Sequence, residues 1–198
     1  MVKNLLSEDM QEVPAKSKQP STLEVLVVED NAILQRVAFQ KLSKAGIKES
    51  NITIAENGQA AVAIVSTRSQ AFDLIYMDEM MPILSGPEAT LKIREHEKSN
   101  KSFSIIFACS ASYDGIYPGA NTKLDKPLED SALKYLIDSV VNQPELFWEV
   151  DGAPRKVYLD PPKPDKLSIN QRYFSNKFKN TTDSCDPEHT NIIGNWGV

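Results

Sequence analysis

The sequence predicts an α/β domain in which helices cover both faces of a doubly wound, five-stranded parallel sheet. Short segments of strand length recur between residues 23 and 142, and helical patterns follow nearly all of them. Strands that alternate with helices are typical of parallel sheets joined by right-handed crossovers. These crossovers bring the carboxyl ends of the strands to one edge, which is where open α/β sheets bind ligands.

The first strand is predicted at residues 23–28, a β-branched and apolar run. Glu29, Asp30 and Asn31 follow it, and helical spacing of apolar residues begins at once. Either Asp30 or Asn31 is suited to cap this helix. The helical pattern ends near Gly46, because glycine is favoured just after a helix C-terminus.

The third strand is the most informative segment of the chain. The second strand, at residues 51–55, and an alanine-rich helix from residue 60 to about 68 precede it. Residues 72–78 then form a mostly apolar run that ends in Asp78, which is typical of a strand buried in a parallel sheet. Pro82 cannot donate to a ladder, so the strand has ended by that point.

The third helix and the fourth strand come next. Pro87 occupies a first-turn position of a helix that continues to about residue 98. The fourth strand, at residues 104–109, is apolar and is followed directly by Ser110. Asp78 and Ser110 are therefore both expected at the carboxyl edge of the sheet.

The connection to the fifth strand is unusual. Residues 113–118 are too few and too rich in glycine and proline for a good helix, so the fourth helix is predicted to be shortened or missing. A weak fifth strand at residues 121–125 ends at Lys126. A last helix, from about residue 128 to 141, has one apolar face.

The composition and the cysteine content argue against several classes of function and location. A net charge of -5 gives no electrostatic reason to expect nucleic-acid binding. No apolar run approaches the roughly 20 residues of a membrane span, and the N-terminus has no signal-peptide core. The two cysteines form no CxxC motif, which indicates a reducing compartment, and we expect a cytosolic or nuclear location.

The chain has room for one ordinary domain and two tails. Residues 1–22 are polar and are predicted to be a flexible leader. Residues 143–198 contain half of the twelve prolines and scattered aromatic residues without a period, so this tail is predicted to be irregular, either disordered or draped on the domain.

Four strand ends deliver polar groups to the same edge: Glu29, Asp30, Asp78, Ser110 and Lys126. Three converging carboxylates repel one another and need a cation, and hard oxygen ligands suit Mg²⁺. A lysine and a hydroxyl suit a phosphoryl group, so the set supplies the parts for phosphoryl transfer. Asp78 is the best-placed nucleophile, although an isolated aspartate at a strand end would be read as a cap.

These motifs, in this order, resemble a two-component response regulator receiver domain over residues 23–142. The matching segments are residues 27–31, residues 77–82 with Gly86, Ser110 with Ala111, and Lys126 with Pro127. Residues 77–94 are most similar to receivers of hybrid histidine kinases. The resemblance implies the flavodoxin-like strand order 2-1-3-4-5.

The resemblance also implies roles for the residues at the edge. Asp78 would take a phosphoryl group from a phosphohistidine on a histidine kinase or a histidine phosphotransfer protein. Lys126 would pair with Asp78 and later with its phosphate, and Ser110 would move to hydrogen-bond a phosphoryl oxygen. Such a chain is a signalling phosphoacceptor that assists its own phosphorylation and dephosphorylation, and it is not classed as an enzyme.

The same resemblance implies a Mg²⁺ site. Asp30, Asp78 and the backbone carbonyl of Met80 would bind the ion, and Glu29 would act partly through water.

Two features depart from the family pattern. Lys123 stands where the family usually has an aromatic residue that swings inward on phosphorylation, and Tyr113 or Tyr117 is available as a substitute. The short segment between Ser110 and Lys126 alters the face through which receivers often signal and dimerise, so we expect a monomer. The tail has no helix-turn-helix pattern, which argues against direct transcription control.

Two other functions remain as alternatives. One is a receiver-like binding module that works without phosphorylation, which would explain Lys123 and the shortened helix. The other is a hydrolase of the haloacid dehalogenase class, which also uses an aspartyl phosphate. That class has an Asp-x-Asp motif on its first strand, whereas Glu79 and Met80 follow Asp78 here on the third.

Overall fold

Five parallel strands form one sheet in the order β2-β1-β3-β4-β5. The computed structural model describes residues 18–111, 115–149 and 153–159, so most of the predicted leader and of the predicted tail lies outside the described residues. The strands are β1 (Val25–Val28), β2 (Ile52–Ala55), β3 (Leu74–Asp78), β4 (Ile105–Ser110) and β5 (Thr122–Asp125). The helices are α1 (Ala32–Lys44), α2 (Gly58–Ser66), α3 (Gly86–Asn100) and α4 (Asp130–Asn142). The predicted doubly wound fold and strand order are confirmed.

The sheet divides the core into two layers. Successive side chains of a strand point to opposite faces, and in β3 Leu74 and Tyr76 pack on one face while Ile75 and Met77 pack on the other. Helices α1 and α4 cover the first face, and α2 and α3 cover the second. Because β3 is buried on both faces, it is a rigid support for the residue at its end.

Local chemistry fixes where the helices begin. The Asn31 side chain accepts hydrogen bonds from the backbone N–H groups of Ile33 and Leu34, at 2.9 and 3.3 Å, and so caps α1. Ser85 and Glu88 form a capping box at the start of α3. Gly46 follows α1 with a φ of 102°, a conformation that glycine adopts at little cost.

The described residues between β4 and β5, which are 111 and 115–121, contain no helix, as the sequence predicted. Residues 112–114 of this connection are not among the described residues. Ile116, Tyr117 and Ala120 are instead buried against α3. The Arg94 side chain of α3 is 10% exposed, and its guanidinium donates to the carbonyl oxygen of Gly119 at 2.8 Å and to the Asn121 side chain at 2.7 Å. This connection is therefore held in place by core packing and by a largely buried cation.

The core continues beyond the predicted domain boundary at residue 142. Phe147 and Val157 are buried in the layer under α1 and α4. The Asn121 amide donates to the carbonyl oxygens of Phe147 and Arg155, at 2.9 and 3.2 Å. The boundary itself stays a prediction, but residues 144–149 and 153–159 contribute to the packing of the domain.

Within the described ranges, none of the helices has both the length and the apolar character that crossing a bilayer requires.

Candidate functional site

The carboxyl ends of β1, β3, β4 and β5 surround an open cleft. Parallel strands place their last residues side by side, so groups that are distant in sequence meet at this edge. The residues that line the cleft are Glu29, Asp30, Asn31, Leu34, Asp78, Glu79, Met80, Ser110, Ala111 and Lys126. All five side chains that the sequence predicted at the edge are brought together there.

Asp78 is the last residue of β3 and is only 6% exposed. The next residue is anchored on both sides, because Glu79 N–H donates to the Cys109 carbonyl at 3.0 Å and the Glu79 carbonyl accepts from Gly86 N–H at 2.9 Å. A Cβ atom at Gly86 would lie 2.0 Å from the Asp78 carbonyl oxygen. Only glycine therefore allows α3 to start this close to the strand, and the Asp78 backbone has little freedom to move.

Lys126 connects two buried carboxylates. Its Nζ lies 2.5 Å from Asp78 Oδ1 and 2.7 Å from Glu29 Oε2. Its backbone N–H donates to the Ser110 carbonyl at 2.9 Å, which joins the end of β5 to the end of β4. Hydrogen bonds between charged groups are the stronger class, so this lysine fixes the positions of both acids.

Burial and charge change the pKa values of these groups in a consistent way. Burial raises the pKa of Glu29, the hydrogen bond from Lys126 lowers it, and the charge of Asp78 raises it again, which leaves it above its usual value. Burial lowers the pKa of Lys126, but hydrogen bonds to Asp78 and Glu29 outweigh burial and raise it overall. The lysine is therefore a permanent cation at neutral pH.

Glu29, Asp30 and Asp78 offer carboxylate oxygens that all lie within 4.8 Å of one another. Glu29 and Asp78 are buried, so their mutual repulsion is little screened by solvent, and one lysine balances only part of the charge. Three hard oxygen donors beside an open cleft fit Mg²⁺, which keeps several water ligands when bound. The predicted roles of the Met80 carbonyl and of a water-mediated Glu29 contact stay predictions.

Glu79 is a residue of the cleft that the sequence did not predict there. The Ser110 hydroxyl donates a hydrogen bond to Glu79 Oε2, and Glu79 lines the cleft beside Asp78. Strict alternation along β3 would turn Glu79 away from the side that Asp78 faces. Because the strand ends at Asp78, this alternation does not apply to Glu79, and the sequence carried no signal for its position.

The structure describes Lys123 and Tyr117, two of the residues involved in the predicted departures from the family pattern. The Lys123 side chain forms an ion pair of 2.9 Å with the exposed Asp125. Tyr117 is buried, and its hydroxyl lies 3.4 Å from the Met77 carbonyl oxygen, one residue before Asp78. Tyr113 lies outside the described residues. It therefore stays a hypothesis that one of these tyrosines takes the role of the aromatic residue that Lys123 replaces.

A family model described as the response regulator receiver domain matches residues 25–138. Hybrid signal transduction histidine kinase G of Dictyostelium discoideum is 31% identical over 131 residues, which are 64% of this chain and 4% of that protein. The osmolarity two-component system protein SSK1 of Saccharomyces cerevisiae is 42% identical over 104 residues, 52% of this chain and 14% of that protein. The chain thus corresponds to a small part of these relatives.

Two solved structures show the same fold. The receiver domain of Ssk1 from Saccharomyces cerevisiae, crystallised with the histidine phosphotransfer protein Ypd1, has a TM-score of 0.52 and 36% identity, covering 60% of this chain and 88% of that one. The receiver domain of the histidine kinase CKI1 from Arabidopsis thaliana, complexed with Mg²⁺, has a TM-score of 0.53 and 32% identity, covering 60% and 91%.

Proposed function

The chain belongs to the response regulator receiver domain family, and from this premise we propose that it is a phosphoacceptor in a histidine-to-aspartate phosphorelay. The observation that carries the proposal is the position of Asp78: it is fixed at a strand end, paired with Lys126, and grouped with two further carboxylates at an open cleft. In this function the chain is a signalling domain that assists its own phosphorylation and dephosphorylation.

In the proposed reaction, a carboxylate oxygen of Asp78 attacks the phosphorus of a phosphohistidine. The bond from phosphorus to the imidazole nitrogen breaks, and its electron pair stays on the nitrogen. Lys126, already 2.5 Å from Asp78 Oδ1, is placed to neutralise charge on the incoming phosphoryl group. Ser110 supplies a hydroxyl that is able to donate to a phosphoryl oxygen.

Mg²⁺ held by Asp30, Asp78 and the Met80 carbonyl, with Glu29 acting partly through water, would neutralise charge on the phosphoryl oxygens. The acidic cluster supports this part of the proposal, and the CKI1 receiver complexed with Mg²⁺ is a relative in which the ion is present.

The partner we propose is a histidine kinase or a histidine phosphotransfer protein. Leu34 and Met80 line the cleft, and Ile33 and Ile83, in the same two segments, are 74% and 80% exposed. Exposed apolar side chains around a polar site suit a protein partner. The complex of the Ssk1 receiver with Ypd1 supports a partner of this kind. A monomeric state and a cytosolic or nuclear location complete the proposal.

The experiment is phosphorylation by acetyl phosphate with Mg²⁺, followed by intact mass. We expect a single phosphate adduct on the wild-type chain that is lost with EDTA and in Asp78→Asn. Asp125→Asn is the matched control, because Asp125 is exposed at the end of β5 and lies outside the cleft lining. An adduct that persists in Asp78→Asn would contradict the proposed acceptor.

A folded wild-type chain without any adduct would instead support the binding module that works without phosphorylation. The observations that favour this second candidate are Lys123 paired with Asp125 and the connection without a described helix between β4 and β5.

A further inference from the structure

We propose that Glu79 is a positioning residue that holds the Ser110 hydroxyl in the unphosphorylated chain and competes with the phosphoryl group for it. The inference rests on the proposed function and deepens it, because it concerns regulation at the same site. Its consequence is that Glu79 disfavours the phosphorylated state.

The first observation is the contact between the two side chains. The Ser110 hydroxyl donates to Glu79 Oε2 from a position that is 4% exposed, whereas Glu79 is only half-buried. A hydrogen bond to a carboxylate is stronger than one between neutral groups. The backbone contacts from Glu79 to Cys109 and Gly86 fix the base of the glutamate side chain, so this hydrogen bond forms between two anchored residues.

The second point is the number of protons that the Ser110 hydroxyl is able to donate. A serine hydroxyl has a single proton to donate. Ser110 cannot donate that proton to Glu79 and to a phosphoryl oxygen at the same time. Phosphorylation of Asp78 that recruits Ser110 must therefore break the contact with Glu79.

The third observation is the balance of charge in the cleft. Its lining contains four carboxylates and one lysine, and Glu79 is the carboxylate outside the cluster that could hold a metal ion. A phosphoryl group on Asp78 adds negative charge beside Glu79, and like charges at short distance repel. Because Glu79 is half-exposed, its side chain has solvent to move into once Ser110 is released.

The test measures how tightly beryllofluoride, a tetrahedral mimic of a phosphoryl group, binds with Mg²⁺. We expect Glu79→Ala to bind it about threefold to tenfold more tightly than the wild type, since a charged competitor for the hydroxyl has been removed. Glu79→Gln keeps an acceptor but loses the charge, so its affinity should lie between the two. Glu56→Gln is the charge-matched control, because Glu56 is exposed after β2 and lies outside the cleft lining.

A double-mutant cycle separates competition for Ser110 from a general effect of charge. In a Ser110→Ala background, Glu79→Ala should raise the affinity for beryllofluoride by a smaller factor than in the wild-type background, because only the repulsion between like charges is then removed. The inference is overturned if Glu79→Ala behaves like Glu56→Gln, or if its effect is the same with and without Ser110.

A measurement without phosphate keeps this inference distinct from the proposed function. The Hα–Hβ couplings of Ser110 in the unphosphorylated chain should report one rotamer in the wild type and averaged rotamers in Glu79→Ala. If no variant takes a phosphate or the mimic, the proposed function fails, and the couplings still decide whether Glu79 positions Ser110. Unchanged couplings in Glu79→Ala would overturn the positioning role.

Discussion

The ammonium group of Lys126 donates a 2.5 Å hydrogen bond to Oδ1 of Asp78, although the two residues are 48 positions apart in the sequence. Each is placed by the end of its own strand, and the same ammonium also contacts Glu29 Oε2 at 2.7 Å. Glu29 is 1% exposed, so removal of the lysine would leave a buried carboxylate without a cation. The lysine is therefore expected to matter for stability as well as for chemistry.

We predict that Lys126→Met lowers the free energy of unfolding at pH 7 by about 2–3 kcal/mol. This is somewhat less than the roughly 3–5 kcal/mol found for fully buried pairs, because the site opens to a cleft. Urea denaturation without Mg²⁺ measures it. Lys123→Met is the control, since its partner Asp125 is exposed, and it should change the free energy by less than about 0.5 kcal/mol.

The pH dependence of this loss has a definite sign. The pKa of Glu29 is raised in the folded chain, so its contribution to stability is fully present below its ordinary value of 4.5 and is lost as the pH rises through the folded-state pKa. Without Lys126 this pKa rises further. The destabilisation of Lys126→Met should then be smaller at pH 5 than at pH 7, and a larger loss at pH 5 would contradict this account.

We predict that Mg²⁺ stabilises the chain and that Asp30→Asn removes this effect. At a free concentration ten times the dissociation constant, binding to the folded state alone adds about 1.4 kcal/mol. Asp30 is exposed, so the substitution itself should change the free energy of unfolding in Mg²⁺-free buffer by less than about 0.5 kcal/mol. Thermal denaturation with and without Mg²⁺ measures both quantities, and Asp125→Asn, which should retain the full response, is the control.

The sequence predicted the edge of the sheet better than it predicted the packing behind it. Asp78 and Lys126 were placed correctly because strand composition and the geometry of parallel crossovers determine where strand ends meet. Arg94 lies in a helical pattern that does not reveal its burial, because arginine on a helix is usually exposed. Besides Glu97 on the same helix, its partners are the carbonyl of Gly119 and Asn121, which no local pattern connects to it.

The extension after α4, which comprises residues 144–149 and 153–159, also packs in a way that the sequence did not predict. Its prolines and aperiodic aromatic residues predicted an irregular segment, and irregular segments have no periodicity that reveals which side chains are buried. Phe147 is nonetheless fully buried against the layer that contains α1 and α4. Contacts over long sequence separations, such as those of Asn121 with Phe147 and Arg155, decide this packing.

We predict that Phe147→Ala lowers the free energy of unfolding by about 3–4 kcal/mol, the range for removing a buried phenyl ring. Tyr158→Ala is the matched control in the same extension, because Tyr158 is 54% exposed, and its change should be below about 0.5 kcal/mol. A chain ending at residue 142 should be destabilised at least as much as Phe147→Ala, since Asn121 would also lose two carbonyl acceptors. Full stability of that shorter chain would show that residue 142 is the true boundary.

The last prediction concerns the contact between α1 and α4 on the surface. Asp130 is the first residue of α4, Lys41 donates to its Oδ1, and Lys44 donates to its Oδ2 at 2.6 Å. The hydrogen bonds from Lys41 and then Lys44 lower the pKa of Asp130 from 3.8 to about 2. A lowered pKa means that the stabilisation is present above the unfolded-state pKa and is lost as the pH falls through the folded-state value.

We therefore expect Asp130→Asn to lower the Tm by on the order of 2 °C at pH 7. The difference from the wild type should shrink between about pH 4 and pH 2, and also at high salt, because exposed ion pairs are screened. Asp138→Asn, which removes a pair within α4 to Lys134 at 3.4 Å, is the control and should have a smaller effect. A Tm difference that is the same at pH 2 and pH 7 would show that the ionised carboxylate of Asp130 does not hold the two helices together.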